Sequence, residues 1–247
     1  MPDNRRLEEL GLNSSVPPGQ LLYDGWLLRL LPGKAKRARS VNAVYASSAP
    51  LGEKIAYCEG LYREAALPVL FRITPFSQPA GLDEALGERG YQRFDATAVE
   101  LAAIDRGRLD GATAEPLELG SWVEAVGHLR ASPAAHRAAH LARLQGMPLA
   151  MRAVAIRSQG RIVATGLAII EDGCAGLFDI VTHEESRRQG HARNVVASLL
   201  RVSWELGARH AYLQVQENNV VARRLYAQFG FAERYIYWYR GRPGETR

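Results

Sequence analysis

The 247-residue sequence predicts an α/β (α+β) chain built as two successive modules. Three observations predict it. Short stretches alternating apolar and polar residues recur along the whole length, separated by segments with apolar residues at helical spacing. The order strand, helix, strand, helix, strand occurs once in each half. A charged, glycine-bearing segment, Ile104 to Gly111, falls between the two runs, where a boundary belongs. The modules are therefore expected over 1–107 and 112–247. Hydrophobic residues make up 47% of the chain, enough for a core in each, which excludes a disordered polymer.

In the first module, Gly25 to Leu31 and Arg39 to Ala46 read as strands, and Leu51 to Ala65 as a helix. Pro68 to Thr74 follows as a strand, Leu82 to Arg89 as a helix and Tyr91 to Leu101 as the last strand. Between the first two strands, Gly33 to Asn42 is basic. It lacks the G-x-x-x-x-G-K spacing of a phosphate-cradling P-loop and is expected to be a solvated loop. Trp26, Arg39, Asn42, Tyr62 and Phe71 are candidates to face a cleft between the modules.

In the second module, Gly120 to Leu144 reads as two helices interrupted near Ser132-Pro133. Met151 to Arg157 and Arg161 to Ile170 are strands joined by the turn Ser158-Gln159-Gly160, and Glu171 to Cys174 turns into the strand Ala175 to Val181. Val195, Val196, Leu199, Leu200, Val202 and Trp204 then recur at helical spacing, so a helix begins near Gly190. Ala211 to Gln216 alternates as a half-buried strand. Asn219 is placed to cap a helix carrying Ala222, Leu225, Tyr226 and Phe229, which Gly230 ends before the aromatic strand Phe231 to Tyr239. The segment Leu86 to Tyr91 echoes Leu225 to Phe231, which supports the internal repeat.

The helix start near Gly190 has chemical meaning. Its first backbone N–H groups lack intrahelical partners and the helix dipole is positive there, so it attracts a phosphate. Gly190 and Ala192 leave the backbone approachable, and Arg187, Arg188 and Arg193 add positive charge. Read together, R-x-x-G-x-A at Arg187 to Ala192 and N-x-x-A-x-x-L-Y-x-x-x-G-F at Asn219 to Phe231 resemble the acyl-coenzyme A site of the GNAT superfamily of N-acyltransferases. The resemblance covers the carboxy-terminal half. Ser47 to Gly52, where the same turn would fall in the first half, lacks the arginine-glycine pattern, so that half resembles a degenerate GNAT-like module, as in two-module bacterial GNAT proteins.

The resemblance implies a GNAT fold, a mixed, mostly antiparallel sheet flanked by helices. It also implies an acetyltransferase that passes an acetyl group from acetyl-CoA to an amine by direct attack in a ternary complex. Ile180, Val181 and Thr182 would pair with the pantetheine arm. Arg187, Arg188, Gln189, Gly190, His191, Ala192 and Arg193 would wrap the pyrophosphate. Asn219 would contact the coenzyme, and Tyr226 would protonate the departing thiolate. Trp122, Leu129 and His136 would line the acceptor pocket. The proton of the amine has no obvious acceptor: some relatives carry a glutamate where this chain has Gln214, and Asp179, Glu217 or a water path are the alternatives. An acyl-CoA-binding regulatory or scaffold protein without turnover is the competing reading.

A net charge of +5 is spread along the chain and not gathered into a tract, so no nucleic-acid partner is expected. Cys58 and Cys174 stand apart without Cys-x-x-Cys or Cys/His companions, and His136 and His140 lack a third ligand, so neither a disulfide framework nor a metal is expected. Without a signal-peptide core or a long apolar run, a cytoplasmic protein away from membranes is expected. The expected partners are a small-molecule or protein amine, with a homodimer left open.

Overall fold

The computed structural model describes residues 1–32, 35–109, 111 and 113–245. They form two compact units, each with its own core. One comprises Pro2–Ala98 together with Tyr235–Arg247, and the other Val99–Arg234 with Met1.

The first unit opens with helix α1 (Asn4–Asn13), which is not expected from the sequence. The Asp3 carboxylate accepts from the backbone N–H of Arg6 at 2.8 Å and caps it, and Leu7 and Leu10 are buried on one face. Strands β1 (Gln20–Tyr23) and β2 (Trp26–Arg29) pair as a hairpin around Asp24 and Gly25, both at positive φ, as a two-residue turn of this kind requires.

The strand expected over Arg39 to Ala46 shrinks to β3 (Val41–Asn42). A 3-10 turn occupies Lys36–Ala38, and beyond Asn42 the ladder groups are taken elsewhere. The Ala43 carbonyl accepts from Gln78 N and Tyr45 N donates to the Gly25 carbonyl. Helix α2 (Leu51–Glu64), strand β4 (Phe71–Ile73), helix α3 (Leu82–Glu88) and strand β5 (Gln92–Ala103) follow close to their expected places.

Trp26, Tyr62 and Phe71 lie with Ile55, Leu86 and Tyr91 in the core of this unit, and Asn42 and Arg39 are also buried. Trp26, Tyr62 and Phe71 of the five cleft candidates are thus core residues of this unit. The basic loop is also partly interior: Arg39 and Ser40 are buried and Lys36 pairs with Asp95 at 3.0 Å. Gly33 and Lys34 of that loop, Asp110 of the 104–111 segment and Ala112 lie outside the described residues.

The second unit contains a short strand β6 (Glu115–Leu117), helices α4 (Leu119–Leu129) and α5 (Ala134–Gln145), and the antiparallel strands β7 (Ala150–Ser158), β8 (Arg161–Glu171) and β9 (Cys174–Thr182). Helix α6 (His191–Glu205) connects β9 to the parallel strand β10 (His210–Gln216), and helix α7 (Val220–Ala227) leads to β11 (Ala232–Gly241).

Successive residues of β8 face opposite sides of the sheet. Leu167 and Ile169 join Trp122, Val126 and Leu144 under α4 and α5. Gly166 faces α6, where a Cβ would stand 2.6 Å from Val195 Cγ1 and 2.8 Å from Leu199 Cδ1. Only glycine lets the helix seat this closely.

Strand β5 passes from the first unit to the second between Ala98 and Val99, and β11 passes back between Arg234 and Tyr235. The returning end pairs antiparallel with β4 through Trp238↔Ile73, Tyr239↔Arg72 and Arg240↔Phe71. Among the described residues no helix is long and apolar enough to cross a membrane.

Candidate functional site

The site begins where two strands of the second unit part. The parallel ladder of β9 with β10 runs from His210↔Cys174 to Leu213↔Leu177 and stops, although β9 continues to Thr182 and β10 to Gln216. Phe178 to Thr182 therefore have no register partner on β10. On its other side β9 stays paired with β8, but the register slips. Leu167 is opposite Phe178 and Thr165 is opposite Val181, so two steps on β8 match three on β9. This is a β-bulge, and Asp179 within it has φ of 49°. An edge released in this way presents N–H and C=O groups to which an extended amide chain can add. Ile180, Val181 and Thr182 lie on that edge.

Past the strand, a 3-10 turn over Glu184–Ser186 leads to Arg187, Arg188, Gln189 and Gly190, all exposed. Gly190 caps α6 at φ of 82°, with no side-chain cap, and a Cβ there would meet nothing within 4 Å. Helix geometry leaves the N–H groups of His191, Ala192 and Arg193 without intrahelical acceptors, and the first capping bond runs from Asn194 N to the Gly190 carbonyl at 3.0 Å. Arg187 sits 3.8 Å from Glu184, and Arg193 lies over the Phe229 ring at 5.7 Å. Two polar atoms at this end of β9 and α6, Thr182 Oγ1 and His191 Nε2, are buried without a hydrogen-bond partner among the described residues.

Asn219 caps α7 as expected, its Oδ1 accepting from Ala222 N at 3.2 Å, and it remains exposed. Tyr226 lies on the same helix, 9% exposed and edge-on to Phe231 with ring centroids 6.0 Å apart. Its hydroxyl makes no hydrogen bond among the described residues. Burial, and then the negative charge of Glu100, push its pKa up to about 12. The phenol thus keeps its proton through neutral pH.

Glu100, on β5, belongs to no motif that would single it out. It is 3% exposed; Oε1 accepts from Arg223 Nε at 2.8 Å, and Oε2 has no partner. Arg223 also donates to Glu233 at 2.8 Å, and both carboxylates hold its guanidinium in the charged form. The partners are 123 residues apart, so no local pattern could reveal them.

Among the expected acceptor-side residues, Trp122 is fully buried in the core, Leu129 is half-buried and His136 is exposed. The histidine that meets the bulge is His140, whose Nε2 is 3.9 Å from Asp179 Oδ2, while Arg130 forms an ion pair with Asp179 Oδ1 at 2.8 Å. Gln214 follows the last β9-paired residue of β10 and is half-buried, and Glu217 is exposed in the turn after β10.

Residues 122–231 match the model of the acetyltransferase (GNAT) family. The chain is 30% identical over 244 residues to the uncharacterised N-acetyltransferase YobR of Bacillus subtilis (strain 168), across 94% of this chain and 96% of that one. Among solved structures, a GCN5-related N-acetyltransferase from Kribbella flavida is similar with a TM-score of 0.71 at 20% identity, covering 97% of this chain and 94% of that one. A tandem GNAT protein from the clavulanic acid biosynthesis pathway gives 0.58 at 17% identity, covering 94% and 86%. At these identities the two structures speak for the fold.

Proposed function

Because the chain belongs to the GNAT acetyltransferase family and is an acyltransferase, we propose that its Val99–Arg234 unit transfers an acetyl group from acetyl-CoA directly to an amine. The observation that carries this reading is the early end of the β9–β10 ladder at Leu177↔Leu213, immediately followed by the open start of α6 at Gly190. A free strand edge suits the amides of a pantetheine arm, and a basic helix start suits a pyrophosphate.

In this reading, backbone groups of Ile180, Val181 and Thr182 hold the arm extended. The N–H groups of Gly190, His191, Ala192 and Arg193 face the pyrophosphate, with Arg187, Arg188 and Gln189 around it, and Asn219 borders the arm from α7. Bound acetyl-CoA supplies an activated thioester carbonyl. A backbone N–H of the released β9 edge is positioned to stabilise the oxyanion, and the acceptor nitrogen must come within roughly 3 to 3.5 Å of the carbonyl carbon. Tyr226, protonated at neutral pH, donates to the leaving sulfur. Direct transfer is favoured because neither thiol suits an acyl-enzyme: Cys174 is buried on β9, and burial pushes the Cys58 thiol up to about 12. The acceptor is an amine of a small molecule or of a protein.

Isothermal titration with acetyl-CoA tests the reading, with Arg188→Glu as the control. Arg188 is exposed, so its charge reversal should weaken binding while leaving the melting curve unchanged. A folded parent protein that does not bind acetyl-CoA would sink the proposal.

A further inference from the structure

The acceptor side of β9 carries an imidazole that nothing in the core requires. His140, on α5, is half-buried and edge-on to the Trp122 ring, with centroids 5.6 Å apart. Neither of its ring nitrogens makes a hydrogen bond among the described residues. Nε2 points at Asp179 Oδ2 across 3.9 Å. Asp179 is itself fixed, by the bulge in its strand and by Arg130 on its other oxygen at 2.8 Å. An imidazole with an open nitrogen thus stands beside a held carboxylate, just past the point where β9 leaves β10.

We infer that His140 is the base that takes the proton of the acceptor amine, and that Asp179 positions it and holds the resulting imidazolium. The inference rests on the acetyl-transfer reading. The nitrogen lone pair forms the N–C bond to the acetyl carbonyl and the C–S bond breaks. The proton leaves the nitrogen for His140 and a proton passes from Tyr226 to the thiolate. Solvent then exchanges with both residues, so the net products are an N-acetylated amine and a free thiol.

A carboxylate acting alone is a weak base for this purpose, its ordinary pKa lying near 4 against about 6.5 for imidazole. The surroundings of His140 also keep it ready. Burial lowers its pKa below the ordinary value; Asp179 from β9 opposes that, while Arg143 from α5 and Arg130 after α4 add to it. The ring is therefore neutral at pH 7 and able to accept.

The test uses three amine probes, spermidine, glucosamine and a tripeptide with a free amino terminus, in the parent, His140→Gln and Asp179→Asn. Thiol release from acetyl-CoA is followed over about pH 5 to 9. His140→Gln should lower kcat about 10²- to 10⁴-fold with the KM for acetyl-CoA unchanged, and should abolish the acid limb of the kcat profile. Asp179→Asn should move that limb to lower pH. An acid limb that survives in His140→Gln overturns the assignment.

If none of the probes is acetylated, the imidazole titration decides. In histidine-labelled protein, the NMR resonance missing from His140→Gln should titrate below about 6.5 and move lower in Asp179→Asn. A resonance indifferent to Asp179→Asn refutes the pair. Loss of acetyl-CoA binding by the parent is a separate result, because it sinks the transfer reading without touching the titration.

Discussion

Replacing Gly166 by alanine should loosen the helix that begins at the proposed pyrophosphate turn. The added methyl would stand 2.6 Å from Val195 Cγ1, 2.8 Å from Leu199 Cδ1 and 3.5 Å from Ile180 Cγ1. Since non-bonded carbons rest at roughly 3.5–4.0 Å, α6 must retreat from β8 by about 1 Å or its side chains must leave their rotamers. Overpacking of this kind costs about 1–3 kcal/mol. For a chain of this size each kcal/mol lowers Tm by about 2–4 °C, so a fall of about 2 to 12 °C is expected in a circular-dichroism melt. Val195→Ala in the same chain removes the nearest atom, so the two substitutions should couple by about 0.5–3 kcal/mol in a double-mutant cycle. Binding of acetyl-CoA should weaken in Gly166→Ala and recover in part in the pair, because the start of α6 moves with the helix and the Leu199 contact remains. A parent-like Tm, or strict additivity with Val195→Ala, would refute the close seating of α6 on β8.

Tyr226→Phe should cut turnover by about 10²-fold or more while leaving the calorimetric affinity for acetyl-CoA intact. Since burial pushes the phenol's pKa up to about 12, no alkaline loss of kcat from this group is expected at neutral or mildly alkaline pH. Arg223→Ala strands the buried Glu100 carboxylate and should cost about 3–5 kcal/mol in urea unfolding. Asn219→Ala should cost about 1 kcal/mol through the lost cap, with Asn219→Asp restoring most of it, as read from thermal melts. His140 binds its proton less readily folded than unfolded, so its contribution is present above the unfolded pKa of about 6.5 and is lost as pH falls. Urea midpoints of His140→Gln should accordingly decline less between neutral and mildly acidic pH than those of the parent.

What could be read from the sequence was what local chemistry determines. Gly190 with its arginines, the Asn219 cap and the apolar spacing of α6 lie within single elements, and each falls where its pattern puts it. Helix α1 has an equally local signal, Asp3 before Leu7 and Leu10, although no element is expected there from the sequence. The strand expected from Arg39 was too long because alternation cannot show that Ala43 and Tyr45 bond to Gln78 and Gly25. The bulge at Asp179 exists only as a slip in register between β8 and β9, which no single strand records. His136 and His140 are one helical turn apart, and a face of α5 is chosen only once α4 and β9 are in place. Glu100 was hidden because its meaning comes from Arg223, far along the chain.

The return of the last strand to the first unit bears on how the protein is made. Residues Pro2–Ala98 leave the ribosome early, yet the partner that covers β4 includes Trp238, Tyr239 and Arg240. At about 5–20 residues per second the nascent chain waits on the order of ten seconds with that edge uncovered. An open strand edge is a template for association with other chains, so this interval is when a chaperone would matter most. The same arrangement means that a gene cut within codons 104–111 would encode two fragments, each lacking part of a strand that the other supplies.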